Sequence, residues 1–385
     1  MPGNGRLQSI DFLRGLAALA VVIEHCFHYS LLKSEHQPHW FQVTMAIASH
    51  GHLGVPLFFV ISGFCIHLGW AKRFRSSGTT SMDFIGFWKR RLHRLYPPYF
   101  VALVVSMSLV LLAYALHKSV PLVNSYPDPK PRGMALDFLL HLLMLHGFAP
   151  LFDKLGGNPP FWTLAREEYL YALYFLLLWW RVRRGILSSV YFAYCAGGVF
   201  YLAMQMLVRP DSTWWPLIVS SALVLWIQWS LGMLSVEHYI QNVRLPRLFS
   251  FFPMAIVWGV AALWTEGAVT FLSPLLWGLT FFTIVNNLVQ REQSGRLPFN
   301  PSGNKVCRLI TWSGTFSYST YLVHNPTRAV LTQLLGPFAR TSNPFLFTAI
   351  ALFLSAAGLF AGWIFYCLVE RHFLNVKPQV ATAIA

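Results

Sequence analysis

The chain has 385 residues, of which 55% are hydrophobic and only 11% charged, and its formal net charge is +15. Soluble domains carry about 25% charged residues, so this composition excludes an ordinary soluble domain and is typical of a membrane protein. Basic residues of membrane proteins collect in cytoplasmic loops, so the charge favours a topology signal over nucleic-acid binding. The five cysteines lie singly and form no CxxC pattern, which indicates neither a disulfide framework nor a metal site of the zinc type.

Apolar runs near the length that spans a bilayer, about 20 residues, recur along the whole chain. Strand-period alternation is absent, which argues against a barrel and predicts an all-α, polytopic membrane protein. The runs predict about ten transmembrane helices, at 10–32, 52–71, 96–117, 161–180, 186–207, 215–236, 249–265, 268–290, 309–333 and 345–369.

A further apolar run at 135–150 has only about 15 residues, which is short for a crossing and typical of a re-entrant or interfacial segment. If this run does not cross, the basic stretches of the loops and of the tail all fall on one side, and both termini are cytoplasmic. No linker divides the chain. The predicted organisation is a cytoplasmic N-terminus at 1–9, one transmembrane domain at 10–373 and a cytoplasmic tail at 374–385.

The first predicted helix carries Arg14 near its cytoplasmic start and His25 eleven residues farther on. A charged side chain at the bilayer centre costs roughly 3 kcal/mol, so such residues indicate a functional site. At 1.5 Å per residue, His25 lies roughly 16 Å beyond Arg14, in the outer half of the bilayer and on nearly the same face. Glu24 is turned about 100° away from that face.

Polar side chains also lie within the predicted helix that begins near 161. Thr163, Glu167 and Tyr171 follow one another at four-residue intervals and form one polar stripe. The helix near 309–333 places His324 at the predicted depth of His25. The sequence therefore predicts His25, Glu167 and His324 at one depth, as in a polar tunnel.

Two further segments complete this predicted tunnel. Ser62 and Gly63 lie near the middle of the second predicted helix, where glycine allows close backbone approach. Ser317 and Tyr321 lie below His324, on the cytoplasmic side of it. The basic cluster at 89–94 and Arg14 lie on the cytoplasmic approach, where arginines suit a phosphate-rich donor.

The chemistry of this set is limited. A histidine beside a carboxylate can act as a general base toward an alcohol, whereas no G-x-S-x-G or HExxH pattern signals a serine or zinc hydrolase. A base outside and an anion site inside indicate group transfer across a membrane. The rival from another class is a proton-coupled anion transporter, with Arg14, His25 and Glu167 as its relay. A transporter of that kind is expected to contain repeats or broken helices, and none is found in the sequence.

At these residues the sequence resembles the membrane-bound acyltransferase 3 family of O-acyltransferases. IDFLRGLAALAVVIEH is similar to the family's first-helix signature, an arginine and a histidine separated by ten residues. GHLGVPLFFVISGFCI, FWKRRLHRLYPPYF, FWTLAREEYLYALYF, SYSTYLVHNP and YCLVERHF resemble its later motifs, in the family's order. Matching positions include Arg14, His25, Ser62, Gly63, Arg91, Arg94, Pro97, Trp162, Glu167, Tyr171, Ser317, Tyr321, His324 and Glu370.

The resemblance implies roles for these residues. His25 is expected to be the general base, Glu167 its orienting partner or an acceptor-positioning group, and Arg14 a catalytic group on the thioester side. The expected donor-binding residues are Arg91, Arg94, Ser62 and Gly63. The expected acceptor-binding or supporting residues are His324, Tyr321, Ser317, Trp162 and Tyr171.

The expected reaction is O-acetylation. Acetyl from cytoplasmic acetyl-CoA, a co-substrate and not a bound cofactor, is transferred at the inner (cytoplasmic) membrane to a hydroxyl of a cell-surface glycan or glycolipid sugar. Polysaccharide or lipopolysaccharide is the expected acceptor class, and a small natural product such as a macrolide is the alternative. Membrane lipids are the remaining expected partner. Two positions depart from the motif: Thr163 replaces a serine, and Arg166 replaces an apolar residue and is expected to contact an anionic acceptor or to snorkel to the interface.

Overall fold

The described part of the protein is built of helices. The computed structural model describes residues 7–27, 37–116, 131–266, 271–298, 303–336 and 341–374. Within those ranges no β-strand forms, so the predicted all-α class is confirmed. A membrane-spanning segment must satisfy its backbone hydrogen bonds internally, and a helix does so within one segment.

The α-helices are numbered in chain order. They are α1 (Gln8–Cys26), α2 (His39–Ser49), α3 (Gly54–Ser77), α4 (Phe84–Ala115), α5 (Pro131–Leu142), α6 (Trp162–Arg184), α7 (Ile186–Leu207), α8 (Trp215–Val219), α9 (Ala222–Tyr239), α10 (Phe252–Thr265), α11 (Leu272–Gln293), α12 (Lys305–Gly314), α13 (Ser317–Leu335) and α14 (Pro344–Leu368). Short 3₁₀ turns occur at His50–Leu53, His146–Phe148, Pro159–Phe161, Arg247–Ser250 and Glu370–Phe373.

Within the described ranges, six helical segments are long and apolar enough to cross a membrane, which is typical of a multi-pass membrane protein. The helices α1, α6 and α13 are not among the six, although most of the predicted site residues lie on them. The count of about ten crossings and the cytoplasmic side of both termini stay predictions. Residues 1–6 and 375–385 lie outside the described ranges. The six segments are His39–Ser77, Phe84–Ala115, Ile186–Leu207, Trp215–Tyr239, Leu272–Gln293 and Pro344–Leu368.

Each predicted span overlaps a helix, but several boundaries differ. Helix α2, which leads through a 3₁₀ turn into α3, was not predicted. Helix α4 begins at Phe84, so the basic stretch 89–94 lies on a helix and not in a loop. The carboxylate of Asp83 accepts a hydrogen bond from Gly86 N at 2.8 Å and caps this early start. The span predicted at 309–333 is divided into α12 and α13 at Thr315 and Phe316.

Two pairs of glycines allow helices to pack at backbone distance. A Cβ added at Gly63 of α3 would lie 2.0 Å from the carbonyl oxygen of Trp229, and one at Gly232 of α9 would lie 2.1 Å from that of Val60. Helices in lipid associate through close packing and hydrogen bonds more than through a hydrophobic drive. The α3–α9 crossing therefore depends on the absence of side chains at both positions. Gly15 and Gly314 form the same arrangement between α1 and α12.

The segment predicted as re-entrant, 135–150, lies in helix α5 and in the turn that follows it. Helix α5 ends at Leu142, and the chain reverses at Met144, whose φ is 56°. The hydroxyl groups of Tyr96, Tyr99 and Tyr169 donate hydrogen bonds to the carbonyls of Leu142, His141 and Met144. Tyr169 lies seven residues into α6, so this reversal is about 10 Å from the start of that helix. That the segment does not cross the membrane stays a prediction.

Candidate active site

Two histidines from different helices face each other. His25, next to the last residue of α1, and His324 of α13 have their Nδ1 and Nε2 atoms 3.0 Å apart. The centroids of their rings are separated by 5.0 Å. His324 is buried and His25 half-buried. Helix α14 packs behind the pair, since a Cβ at Gly358 would lie 3.3 Å from the Cβ of His324.

Backbone contacts determine which nitrogen of each ring carries the proton. His324 Nδ1 lies 3.0 Å from the carbonyl oxygens of Thr320 and Tyr321. A carbonyl only accepts, so in neutral His324 the proton is on Nδ1 and the lone pair on Nε2. His25 Nδ1–H then donates to that lone pair, which places the lone pair of neutral His25 on its Nε2. In that tautomer, Nε2 is the nitrogen of His25 that can accept a proton.

A second contact joins α6 to α13. Tyr321 donates to the carbonyl of Pro160 at 3.1 Å, and its oxygen accepts from Thr163 Oγ1 at 2.6 Å. Thr163, which stands at the position of the family's motif serine, therefore uses its hydroxyl group in this hydrogen bond. Trp162 lies beside this contact, with the guanidinium of Arg166 5.8 Å from its ring centroid.

The carboxylate of Glu167 lies where hydrogen bonds join three helices, α3, α6 and α9. Ser62 Oγ of α3 and Tyr171 OH of α6 both donate to its Oε1, at 2.7 and 2.5 Å. The indole of Trp229 from α9 donates in turn to Ser62 Oγ at 3.3 Å. Three predicted site residues, Ser62, Glu167 and Tyr171, therefore form one hydrogen-bonded group.

Glu167 lies at a different level from the histidine pair. It lines one small cavity together with Tyr318, and His324 is six residues beyond Tyr318, about 9 Å farther along α13. The prediction that Glu167 shares the depth of the two histidines is therefore wrong. Depths counted from helix ends ignore how far neighbouring helices are shifted along one another, and only tertiary contacts fix that shift.

Arg14 lies at the level of Glu167. Its NH2 contacts Cys65 Sγ at 3.3 Å, its NH1 is 3.9 Å from Asp11 Oδ1, and its charge interacts with that of Glu167. Arg94 interacts with Arg14, and its Nε is buried with no hydrogen-bond partner among the described residues. Two cationic groups therefore converge on the side of the site remote from His25.

Glu370, in the 3₁₀ turn after α14, also belongs to this level. It is 3% exposed, and its carboxylate accepts hydrogen bonds from the backbone N and the Oγ of Ser319. Its charge interacts with those of Arg94 and Arg14. Ser319 was not predicted, since a serine among several in SYST carries no distinguishing signal.

Three expectations need correction or a different reading. Gly63 is packed against α9, because the carbonyl of Trp229 fills the space where a Cβ would lie; a packing role therefore explains this glycine, and its donor-binding role stays a prediction. Arg166 neither snorkels nor is available to an acceptor: it is 1% exposed and its NH2 is 2.8 Å from Asp153 Oδ1. Ser317 Oγ donates to the carbonyl of Gly314 at 3.1 Å and so stabilises the α12–α13 junction.

Sequence reasoning missed a buried ion cluster that joins α3, α6 and α9. His67 Nε2 and Arg181 Nε lie 2.9 and 2.8 Å from Glu237 Oε1, and Asn242 donates to Glu237 Oε2 at 2.7 Å. Charged residues in a membrane helix are the only sequence signal it gives. Because the acceptor atoms of this carboxylate are occupied by protein groups, we read the cluster as structural.

Comparison with known proteins identifies the family of this chain. A family model described as an acyltransferase domain, Acyl_transf_3, matches residues 7–367. The peptidoglycan O-acetyltransferase OatA of Listeria monocytogenes is 30% identical over 44% of this chain and 24% of its own length. The O-acetyltransferase OatA of Staphylococcus aureus is 28% identical over 46% of this chain and 26% of its own length.

A third relative is "protein 2 in picA locus" of Rhizobium radiobacter, 29% identical over 43% of this chain and 78% of its own length. The chain thus matches about a quarter of the length of the two O-acetyltransferases. No solved structure matches it. Because the family model covers nearly all of the sequence, the chain belongs to the acyltransferase 3 family and is an acyltransferase.

Proposed function

We propose that this acyltransferase is an O-acetyltransferase of the cytoplasmic membrane. It transfers acetyl from cytoplasmic acetyl-CoA to a hydroxyl of a cell-surface glycan or glycolipid sugar. The contact between His25 and His324 carries the proposal, because it prepares a base within the bundle. The two relatives that are O-acetyltransferases support the acetyl group, and the peptidoglycan O-acetyltransferase supports a glycan acceptor.

The proposed reaction is a direct transfer. His25 Nε2 takes the proton of the acceptor hydroxyl while the hydroxyl oxygen attacks the thioester carbonyl carbon. The C–S bond then breaks, and the proton passes from His25 to the leaving thiolate of CoA. His324 accepts a hydrogen bond from Nδ1–H of His25 in both protonation states, so it orients the ring and stabilises the imidazolium.

The donor approaches from the opposite side of the site. Arg14 is three turns of α1 from His25, roughly 16 Å, so the two cannot act on the same atom. We therefore assign Arg14 to the arm of the donor on the thioester side, and Arg91 and Arg94 to its phosphates, where guanidinium groups bind well. Glu167, held by Ser62 and Tyr171, positions Arg14 through its charge.

A direct assay tests the proposal. The purified full chain in liposomes should release CoA from acetyl-CoA only when an acceptor is supplied, and mass spectrometry should find an acetylated hydroxyl. Peptidoglycan fragments, lipid-linked oligosaccharides and a macrolide are compared. If none of these acceptors causes CoA release, the proposal is contradicted. If only the macrolide is acetylated, the acceptor is a small natural product and not a glycan.

The direction of transfer is tested separately by topology reporters. A reporter after Arg184 should report the cytoplasm, and one at Pro131 the outer side. Both reporters on the same side would contradict transfer from an inner donor to an outer acceptor through this arrangement of helices.

A further inference from the structure

Helix α13 carries an arginine about one turn beyond His324. Arg328 lies two residues past the SYSTYLVHNP motif and was not predicted to belong to the site. Its Nε donates a hydrogen bond to Asn325 Oδ1 at 3.1 Å. Helical side chains lean toward the N-terminal end of their helix, and this contact holds the guanidinium in that direction. The charged group therefore lies near the level of His324, whereas a snorkelling arginine would extend toward the far end of α13.

The same guanidinium lies beside the histidine pair. Residues four apart share one face of a helix, so Arg328 and His324 are neighbours on α13. Arg328 interacts electrostatically with His324 and with the thiol of Cys26, the residue after His25. A fixed positive charge beside the pair disfavours a second one, the imidazolium that forms when His25 takes up a proton. A negative group bound to Arg328 removes that penalty.

Arg328 has hydrogen-bonding capacity that the described residues do not use. Within those residues, NH1 and NH2 of this half-buried side chain donate no hydrogen bond, and no carboxylate lies within ion-pair distance of it. Glu24, the carboxylate nearest in sequence to His25, is 3.7 Å from His52. Arginines in membrane helices are costly and pair with other groups, so one without a counterion in the described part of the chain indicates a binding site.

The anions of the donor are assigned to the opposite side of the base. Arg14 is roughly 16 Å from His25 along α1, and Arg328 is about 15 Å along α13 from Tyr318, which lines the cavity beside Glu167. A negative group that reaches Arg328 therefore comes from the acceptor. We propose that Arg328 binds a carboxylate or phosphate of the acceptor, which is then an anionic sugar. This inference rests on the proposed function and names the charge class of its second substrate.

Acceptors that differ only in charge test this inference. The purified full chain in neutral-lipid nanodiscs receives acetyl-CoA with methyl glucoside, its 3-O-carboxymethyl ether or glucose 1-phosphate, all of which keep the 2-, 4- and 6-hydroxyls. The wild type should acetylate at least one anionic sugar with a kcat/KM about tenfold or more above that of the neutral sugar, because a charge-assisted contact is gained. The preferred anion distinguishes a carboxylate from a phosphate. Peptidoglycan fragments before and after methyl esterification extend the comparison to larger acceptors.

Variants of α13 assign the preference to Arg328. Arg328→Gln should abolish it by lowering kcat/KM for the anionic sugars, while the neutral sugar and the affinity for acetyl-CoA stay near the wild type. Arg328→Lys should keep part of it, since an ammonium keeps the charge but not the planar fork. Asn325→Asp places a carboxylate at the atom that contacts Arg328 Nε. This second variant should abolish the preference with the arginine still present, and it keeps the test valid if Arg328→Gln fails to fold.

Arg209→Gln is the matched control, because it removes an exposed arginine that pairs with Asp211 in a loop; its preference should equal that of the wild type. A wild type that acetylates neutral and anionic acceptors equally overturns this inference alone. So does an Arg328→Gln variant in which kcat/KM falls by the same factor for all three sugars, since Arg328 then acts on the reaction of every acceptor. A wild type that acetylates no acceptor of either charge overturns the proposed function with it.

Discussion

Two of the buried histidine centres in the described residues, those at His67 and at His324, are built on opposite plans. At His67, Nε2 faces a carboxylate and Nδ1 lies 3.1 Å from Tyr174 OH, while Arg181 and Asn242 occupy the rest of Glu237. His67 and Glu237 are 0% exposed. Opposite charges and hydrogen bonds there satisfy one another, and the cluster holds three helices together.

At the other centre, the partner of His25 is a second imidazole. Backbone carbonyls fix the tautomer of His324, and His25 is half-buried. An imidazole pair can take up one proton and share it, whereas a saturated carboxylate–arginine cluster resists any change of charge. The partners of the two histidines, more than their depth, indicate a structural role for His67 and favour the proposed catalytic role of His25.

The largest expected effect is the loss of turnover in His25→Ala. A general base contributes about 10² to 10⁴ in rate, so acetyl transfer should fall by that factor while acetyl-CoA affinity and melting temperature stay near those of the wild type. The assay is CoA release at matched expression, with His39→Ala in α2 as an exposed histidine control. Near-normal turnover of His25→Ala would show that another group is the base. The two histidine centres would then not differ in function.

The next effect is a loss of stability in Glu237→Gln. The variant leaves Arg181 buried without its carboxylate, which costs about 3–5 kcal/mol, so the melting temperature in detergent should fall sharply. Glu24→Gln is the control, since Glu24 is half-buried and its oxygen is 3.7 Å from His52.

A double variant sharpens the same test. Replacing both partners, as Arg181→Leu with Glu237→Leu, should recover much of the lost stability, because neither charge is then unpaired. The turnover of folded Glu237→Gln should fall far less than that of His25→Ala. If the single variant is as stable as the wild type, the cluster does not hold the helices together.

A smaller effect is expected at His324, for which we propose a role in positioning His25. His324→Ala should lower kcat by about 10² with little change in the KM for acetyl-CoA, since a misplaced catalytic group costs about that factor. His324→Gln should restore part of kcat, because its amide oxygen can accept from Nδ1–H of His25. Equal loss in both variants, or a KM that rises with unchanged kcat, would assign His324 to substrate binding instead.

The smallest effect concerns pH and Glu370. Burial raises the pKa of Glu370, while the hydrogen bond from Ser319 and the charge of Arg94 oppose the rise. A carboxyl group with a raised folded pKa stabilises the fold below its unfolded pKa, about 4.3, and loses that contribution as the pH rises through the folded value. The melting temperature of the wild type should therefore decline over this window relative to Glu370→Gln. If the melting temperature changes with pH equally in the wild type and in Glu370→Gln, this prediction is wrong. Glu370 then resembles Glu237, whose carboxylate oxygens are all hydrogen-bonded within the protein.

Much of the molecule follows from local pattern. Long apolar runs predicted the helices, since a run of that length in lipid has few alternatives. The polar residues His25, Glu167 and His324 stood out because each is costly within such a run. Boundaries were less predictable: the cap at Asp83 extends α4 toward the basic stretch by a local hydrogen bond that hydropathy does not register.

By itself, the sequence determined the helical class, the candidate residues and, through the order of the motifs, the family resemblance. Only the tertiary structure decided which residues meet: His25 with His324, Glu167 with Ser62, and Gly63 with the backbone carbonyl of Trp229. The physical reason is that periodicity fixes the face and spacing of side chains along one helix. The shift of one helix along another is set by side-chain packing and glycine contacts between residues distant in sequence.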